Sequence, residues 1–427
     1  MDSNGFVDRM LEVVNKVSNQ RHVSAVRDGF VALIPVTIIA SFWILINNLF
    51  LDPANGLLRN VQQAQQWIDL GNQIYNSTLG ILGILIAASI GYKLAISYGE
   101  DSLFGAVMGI ISFFLSLPAT VTLADIEGNE VTVAAYTEAQ ISATGMFLAI
   151  MMTLISVTLL AKFSSMNILK IKMPDSVPPA ISKSFNVLIP AFLVTLILGL
   201  VEVLVIWFVH VDIPTLVEQF FQAPLVASLQ SLGGVLLYVA LSNFLWVFGL
   251  HGTFILGSIG EPLMLTAIQE NMNALQNGEA LPHIITKPFI DSFAWMGGGG
   301  MLMCLVIAIY IGSRREDHRS IAKVGGIPII FNVSEPVMFG LPVIFNPLLG
   351  VPLIVVPLVT TTIAYYATQL GVIAKTSVLI PWTTPPIISG YLATNGDWKA
   401  SVLQVILLII GVLIYLPFVH LANKEKV

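Results

Sequence analysis

The chain has 427 residues, 56% of them hydrophobic and only 10% charged, with a mean hydropathy of +0.85. So few charged groups cannot clothe a water-facing surface of this size, which excludes an ordinary soluble protein and makes lipid part of the solvent. A net charge of −6 without any Lys/Arg-rich run excludes nucleic acid as a partner, and one cysteine, Cys304, excludes a disulfide framework or a cysteine metal cluster.

The fold class that follows is all-α and polytopic. Met1 to Arg27 is too polar for a signal peptide, and Phe6, Met10, Leu11, Val14 and Val17 recur at helical spacing among Asp8, Arg9 and Lys16, which predicts an amphipathic interfacial helix. Crossing a bilayer takes about 20 mostly apolar residues per helix. Five stretches of the first half have that character: Phe30 to Phe50, Ser77 to Tyr98, Leu103 to Leu123, Ala143 to Ala161 and Phe185 to Phe208. In the second half the spans are Gly233 to Phe248, Trp295 to Ile311, Leu348 to Tyr366 and Val402 to Leu421, with Thr253 to Ile268 as a shorter one. The total is about ten transmembrane helices. The length exceeds the usual single domain, and the chain divides into two halves, 1–208 and 209–427.

Two further apolar segments are broken by proline. Ile327 to Phe345 holds Pro328, Pro336 and Pro342, and Val372 to Leu392 holds Pro381, Pro385 and Pro386. Proline removes a backbone donor, and broken backbone at membrane depth survives only where protein or a wet cavity satisfies it, so both read as re-entrant hairpins lining a path; kinked complete spans are the alternative. With ten spans and two hairpins, fifteen Lys and Arg residues, among them Arg21, Lys93, Lys162, Arg314, Arg315 and Lys424, fall on one side, while Asp125, Glu127, Glu130 and Glu138 face the other. The positive-inside rule makes the first side cytoplasmic, with both termini on it.

Ionisable groups at membrane depth are costly, so each invites a functional reading. Glu335 lies in Asn332-Val333-Ser334-Glu335-Pro336 between two proline breaks, where a carboxylate and free backbone groups can converge on a ligand; otherwise it forms a buried ion pair or ties the hairpin. His251, flanked by Gly249 and Gly252, follows a span holding Asn243 and Trp246; it is either a hydrogen-bonding residue at a helix end or a group titrating near neutral pH. Glu261 precedes Pro262 in an echo of Glu335-Pro336 and reads as structural, and Glu202, within the fifth span, reads as paired or near its interface. Trp382 either belongs to an interfacial aromatic belt or stacks on the C–H face of a pyranose. Asn243, Trp246, His251, Asn332, Glu335 and Trp382 together supply the aromatic and polar mixture of a sugar pocket. Neither a nucleotide-binding loop of the form G-x-x-x-x-G-K-[ST] nor an H-E-x-x-H zinc pair is present, and no cofactor or metal is implied. The run Gly297 to Gly300 lacks dinucleotide spacing and reads as a place of close helix packing.

The run Asn332-Val333-Ser334-Glu335-Pro336-Val337-Met338-Phe339-Gly340-Leu341-Pro342 resembles the signature of the membrane-spanning IIC component of bacterial sugar phosphotransferase systems, in the lactose, cellobiose and diacetylchitobiose family. Val177-Pro178-Pro179-Ala180, His251-Gly252, Gly297 to Gly300 and Trp382-Thr383-Thr384-Pro385-Pro386 extend the likeness over most of the chain, and it runs nearest to the diacetylchitobiose and cellobiose transporters. The resemblance implies a homodimer in the bacterial inner membrane. Residues 1–208 would be scaffold and dimer contact, and 209–427 would enclose one β-linked disaccharide, with Glu335 and His251 central. It also implies that a cytoplasmic IIB protein, itself charged by IIA, phosphorylates the sugar from a phosphocysteine; with Cys304 inside a span, IIB and IIA are separate partners. A proton- or sodium-coupled symporter, or an intramembrane enzyme using Glu335 and His251 as acid and base, are the rival classes.

Overall fold

The structure is a computed structural model that describes residues 19–51, 63–124, 129–171, 177–341 and 343–424, together with Glu12, Lys16, Leu58 and Pro174. The amphipathic helix expected around Phe6 to Val17, the residues Asp125 and Glu127, and Pro342 lie outside the described residues. By internal contacts the chain forms two compact units, residues 1–36 with 76–224, and 37–75 with 225–427. By this grouping the first unit reaches 224, and residues 37–75 group with the second unit.

The first unit is built on α1 (Arg21–Leu45, as far as Val36), α3 (Leu82–Tyr98), α4 (Ser102–Leu115), α5 (Met146–Ser164) and α6 (Leu188–Val209); α2 (Ala64–Asn76) lies almost wholly in the second unit. Its core is Ile86, Ile90, Leu94, Met108 and Phe113, all fully buried. Helices α3 and α4 come so close that a Cβ on Gly91 would fall 2.4 Å from the carbonyl oxygen of Gly105. Small residues let backbones approach where lipid gives no hydrophobic push between helices. Ser156 of α5 donates to Ser112 of α4 at 2.9 Å, and His22 Nε2 lies 2.9 Å from Thr158 Oγ1. The span expected over Leu103 to Leu123 stops at Leu115. Pro118 and a β-branched run take over, and β1 (Thr120–Ala124) pairs antiparallel with β2 (Glu130–Ala134) in the register Val121 to Val133. This hairpin is the one departure from all-α structure among the described residues.

The second unit holds α7 (Leu232–Val247), α8 (Gly252–Gln276), α9 (Lys287–Phe293), α10 (Leu302–Gly312), α11 (Glu316–Ile330), α12 (Glu335–Gly340), α13 (Pro347–Gln369), α14 (Ile388–Ala393) and α15 (Trp398–Ala422). Helix α12 folds back along α11: a Cβ on Gly325 would meet Val337 at 2.3 Å, and one on Gly340 would meet Ile321 at 2.8 Å. The chain is non-helical from Gly371 until α14, then returns on itself, because the N–H groups of Ser377 and Val378 both donate to the carbonyl of Ala393. Both proline-broken segments thus turn back rather than run on as kinked helices. Trp295 to Ile311 is not one span: Gly300 and Met301 take positive φ, 71° and 52°, and α10 begins only at Leu302. Across the described residues six helices are long and apolar enough to cross a bilayer, or seven if the bent pair Ile213–Gln230 and Leu232–Val247 is one span, so the count of ten is not reached by continuous helices.

Candidate functional site

Four interruptions of the second unit converge. The first is the turn Phe248 to His251 between α7 and α8; the second is Ala294 to Met301, between α9 and α10. The third is Phe331 to Ser334 at the tip of α11 and α12, and the fourth is Pro381 to Ile387 ahead of α14. Interrupted helices leave N–H and C=O groups unpaired, and each unpaired group buried in an apolar setting costs several kcal/mol, so every break must find partners.

Asn332 supplies three. It adopts φ 62°, a conformation that Asn tolerates better than other residues with a side chain. Its Oδ1 accepts from Gly297 N at 2.7 Å, and its Nδ2 donates to the carbonyls of Trp382 at 2.6 Å and Thr384 at 3.1 Å. One side chain thereby joins the second, third and fourth breaks. Asn243 serves the glycine run, with Oδ1 accepting from Gly300 N at 2.6 Å while Nδ2 donates to Val239 O. At Gly298, φ is 85° and a Cβ would lie 2.5 Å from the Cβ of Ser334, so only glycine allows this approach. The glycine run therefore shapes a break against the site as well as packing on α13, where Leu353 abuts Gly300.

His251 caps α8, its Nδ1 accepting from Phe254 N at 3.3 Å. A nitrogen that accepts carries no proton, so the neutral ring bears its proton on Nε2, which points at Glu335 Oε1 3.4 Å away. That is longer than a strong N–H···O bond, and the carboxylate keeps surface exposed beside it. The side chains of Glu335 and His251 are 43% and 28% exposed, so neither is sealed off. The His251 ring stacks on Phe254 (centroids 3.6 Å apart, planes at 8°) and lies 4.2 Å from Trp246. Trp246 is buried, and its Nε1 has no hydrogen-bond partner among the described residues. Trp382 is half-exposed on the fourth break.

All six residues singled out from the sequence therefore lie in this unit, with two kinds of work. Asn243 and Asn332 spend their amides holding backbone, Trp246 backs the histidine, and Glu335, His251 and Trp382 keep surface open to a ligand. A carboxylate acceptor, an imidazole N–H donor and an indole face suit a polyhydroxylated ring. No cationic group is in this set.

Sequence reasoning missed Lys287 and Asp291. Lys287 Nζ lies 2.6 Å from both carboxylate oxygens of Asp291 one turn along α9, and Glu261 of α8 interacts electrostatically with both. The i, i+4 spacing was the available signal. Gln404 was missed too, because a single amide in an apolar span carries no pattern. Among the described residues, no group of three or more His, Cys, Asp or Glu side chains is arranged to hold a metal ion.

The chain is similar in sequence and fold to several known proteins. Over 424 residues, it is 33% identical to the lichenan permease IIC component of Bacillus subtilis, covering 98% of this chain and 93% of that one. To the cellobiose-specific EIIC component of Geobacillus stearothermophilus it is 32% identical, covering 98% and 94%. The crystal structure of the transporter ChbC, the IIC component from the N,N'-diacetylchitobiose-specific phosphotransferase system, superimposes with a TM-score of 0.92 at 32% identity, over 97% of this chain and 96% of that one. Residues 27–357 match the family model described as phosphotransferase system, EIIC. The chain belongs to that family, the membrane permease components of sugar phosphotransferase systems.

Proposed function

We propose that this chain carries a β-linked disaccharide of the cellobiose or diacetylchitobiose type across the bacterial inner membrane and delivers it to a separate IIB protein for phosphorylation. The observation that carries the reading is the convergence of four backbone breaks on Glu335 and His251 in a chain of this family. The names of its relatives support the sugar class. Lichenan, oligo-beta-mannoside and cellobiose components match at 32 to 33% identity, whereas a lactose-specific one of Staphylococcus haemolyticus matches at 27%. That lactose relative is an EIICB component of which the match covers only 70%, against 92 to 94% of those three. In this reading the sugar is phosphorylated by IIB, with IIA behind it, acting as separate cytoplasmic proteins.

In this reading Glu335 accepts hydrogen bonds from ring hydroxyls, His251 donates one through Nε2–H, and Trp382 offers its face to the sugar. Asn332, Asn243 and Trp246 keep these groups in place. The two returning segments act as re-entrant hairpins, residues 1–208 serve as scaffold and homodimer contact, and both termini are cytoplasmic. A single cysteine placed in the Asp125 to Glu138 loop then reacts with an impermeant thiol reagent outside intact cells, and one near Arg315 does not; the reverse pattern inverts the topology.

The deciding experiment uses vesicles containing the purified chain and loaded with IIB, IIA, the general phosphotransfer proteins and phosphoenolpyruvate. Labelled disaccharide is expected inside as sugar phosphate, with no loss of uptake when an ionophore collapses the proton gradient. Uphill uptake of unmodified sugar that ignores phosphoenolpyruvate and stops with the ionophore would overturn the assignment in favour of a symporter.

A further inference from the structure

The fourth break contains an unusual residue. Ile387 sits at φ 76°, ψ −49°, a conformation that a β-branched residue adopts only when its surroundings hold it there. What holds it is one face of α15. Gln404, fully buried, accepts at Oε1 from Ile387 N at 2.9 Å and from Gly390 N at 2.8 Å. Its Nε2 donates to the carbonyl of Ser292 on α9 at 2.6 Å and to Ser389 Oγ at 2.8 Å. Three residues earlier, Ser401 Oγ donates to the carbonyl of Ile387 at 2.5 Å. Both backbone groups of the strained residue are thus gripped from α15, and every donor and acceptor position of the Gln404 amide is used. Gly390 leaves the room for it, since a Cβ there would lie 2.5 Å from Gln404 Oε1.

Ile387 is three residues from Thr384 and five from Trp382, the two carbonyls that Asn332 holds. Asn332 is in turn three residues from Glu335. We infer that Gln404, with Ser401, is a positioning residue for the sugar site: it fixes the strained turn at Ile387, which aims Trp382 and, through Asn332, sets the tip that carries Glu335. The inference rests on the site reading given above. A rigid site keeps its contacts aligned without spending binding energy on ordering them, so loosening the turn should appear in affinity.

The test measures equilibrium binding of cellobiose and diacetylchitobiose to the purified chain. Gln404→Leu, similar in size but unable to hydrogen-bond, should weaken binding about tenfold or more, the equivalent of one to two lost hydrogen bonds. Ile387→Gly, which accepts positive φ without strain, should recover part of the loss when added to Gln404→Leu. Simple damage to the packing of α15 would not be repaired by that glycine, so failure of the rescue overturns the inference. If Gln404→Leu does not fold, Ser401→Ala decides: weaker binding recovered by Ile387→Gly supports the proposal. Undiminished binding in either folded variant overturns it. Glu335→Gln separates the two readings, because undiminished binding there refutes the site itself, whereas its loss beside an unaffected Gln404→Leu refutes only the role of Gln404.

Discussion

In the first unit the helices α3, α4, α5 and α6 are each continuous, and their core is filled by apolar side chains with small residues where backbones touch, as at Gly91 and Gly105. In residues 225–424 the helices are interrupted, and buried or half-buried amides stand at the breaks. Asn271 bonds both backbone groups of His283 and the carbonyl of Thr376, Gln230 bonds the backbone of Ile284 and Ile285, and Asn243, Asn332 and Gln404 hold the breaks already described. Continuous helix satisfies its own backbone, so the first unit needs only shape. Broken helix does not, and the second unit spends polar side chains on it. A structure tolerates such breaks where it needs free backbone and polar groups near a ligand, which is why binding is assigned to the second unit.

Four substitutions break or sharpen that contrast. The largest effect is expected from Glu335→Ala. Removing a carboxylate that accepts about two charge-assisted hydrogen bonds should reduce disaccharide affinity by roughly a hundredfold or more, with a smaller loss for His251→Ala. Titration calorimetry on folded protein checks both, and native affinity in Glu335→Ala would move the site elsewhere.

Next comes Asn332→Leu, which touches no ligand in the proposed site but orphans Gly297 N and the carbonyls of Trp382 and Thr384. It should lower both affinity and thermal stability, the latter by about 1–3 kcal/mol per group left unsatisfied in a dry setting. A variant that loses stability but binds normally would show that the tips need not be joined.

The smallest effect belongs to the first unit. Ser156→Ala removes the bond to Ser112 and should cost about 1 kcal/mol of stability, leaving sugar affinity unchanged. A change in affinity there would mean that the continuous helices also shape the site, and the contrast between the units would fail.

The local chemistry of the chain was legible in its residues. Hydropathy gave the helical membrane class, proline placed two returning segments, and the run from Asn332 to Pro342 pointed to the family, since each of these is written in consecutive residues. Where it misread, a local rule met a competing one. The expected span at Leu103 to Leu123 ended early because Pro118 cannot continue a helix and Thr120-Val121-Thr122 favour strand, and Trp295 to Ile311 is broken by the positive φ of Gly300, to which hydropathy is blind. Only the tertiary structure decided which polar residues face a ligand and which hold backbone. Asn332 and Glu335 are three residues apart and equally polar, yet one amide is consumed by carbonyls fifty residues away while the carboxylate stays open. Gln404 is the one amide in α15, between Leu403 and Val405, with nothing adjacent in sequence to mark it. The partners of a broken helix come from other segments, so the meaning of a buried amide depends on packing, whereas a continuous helix carries its partners within four residues of itself.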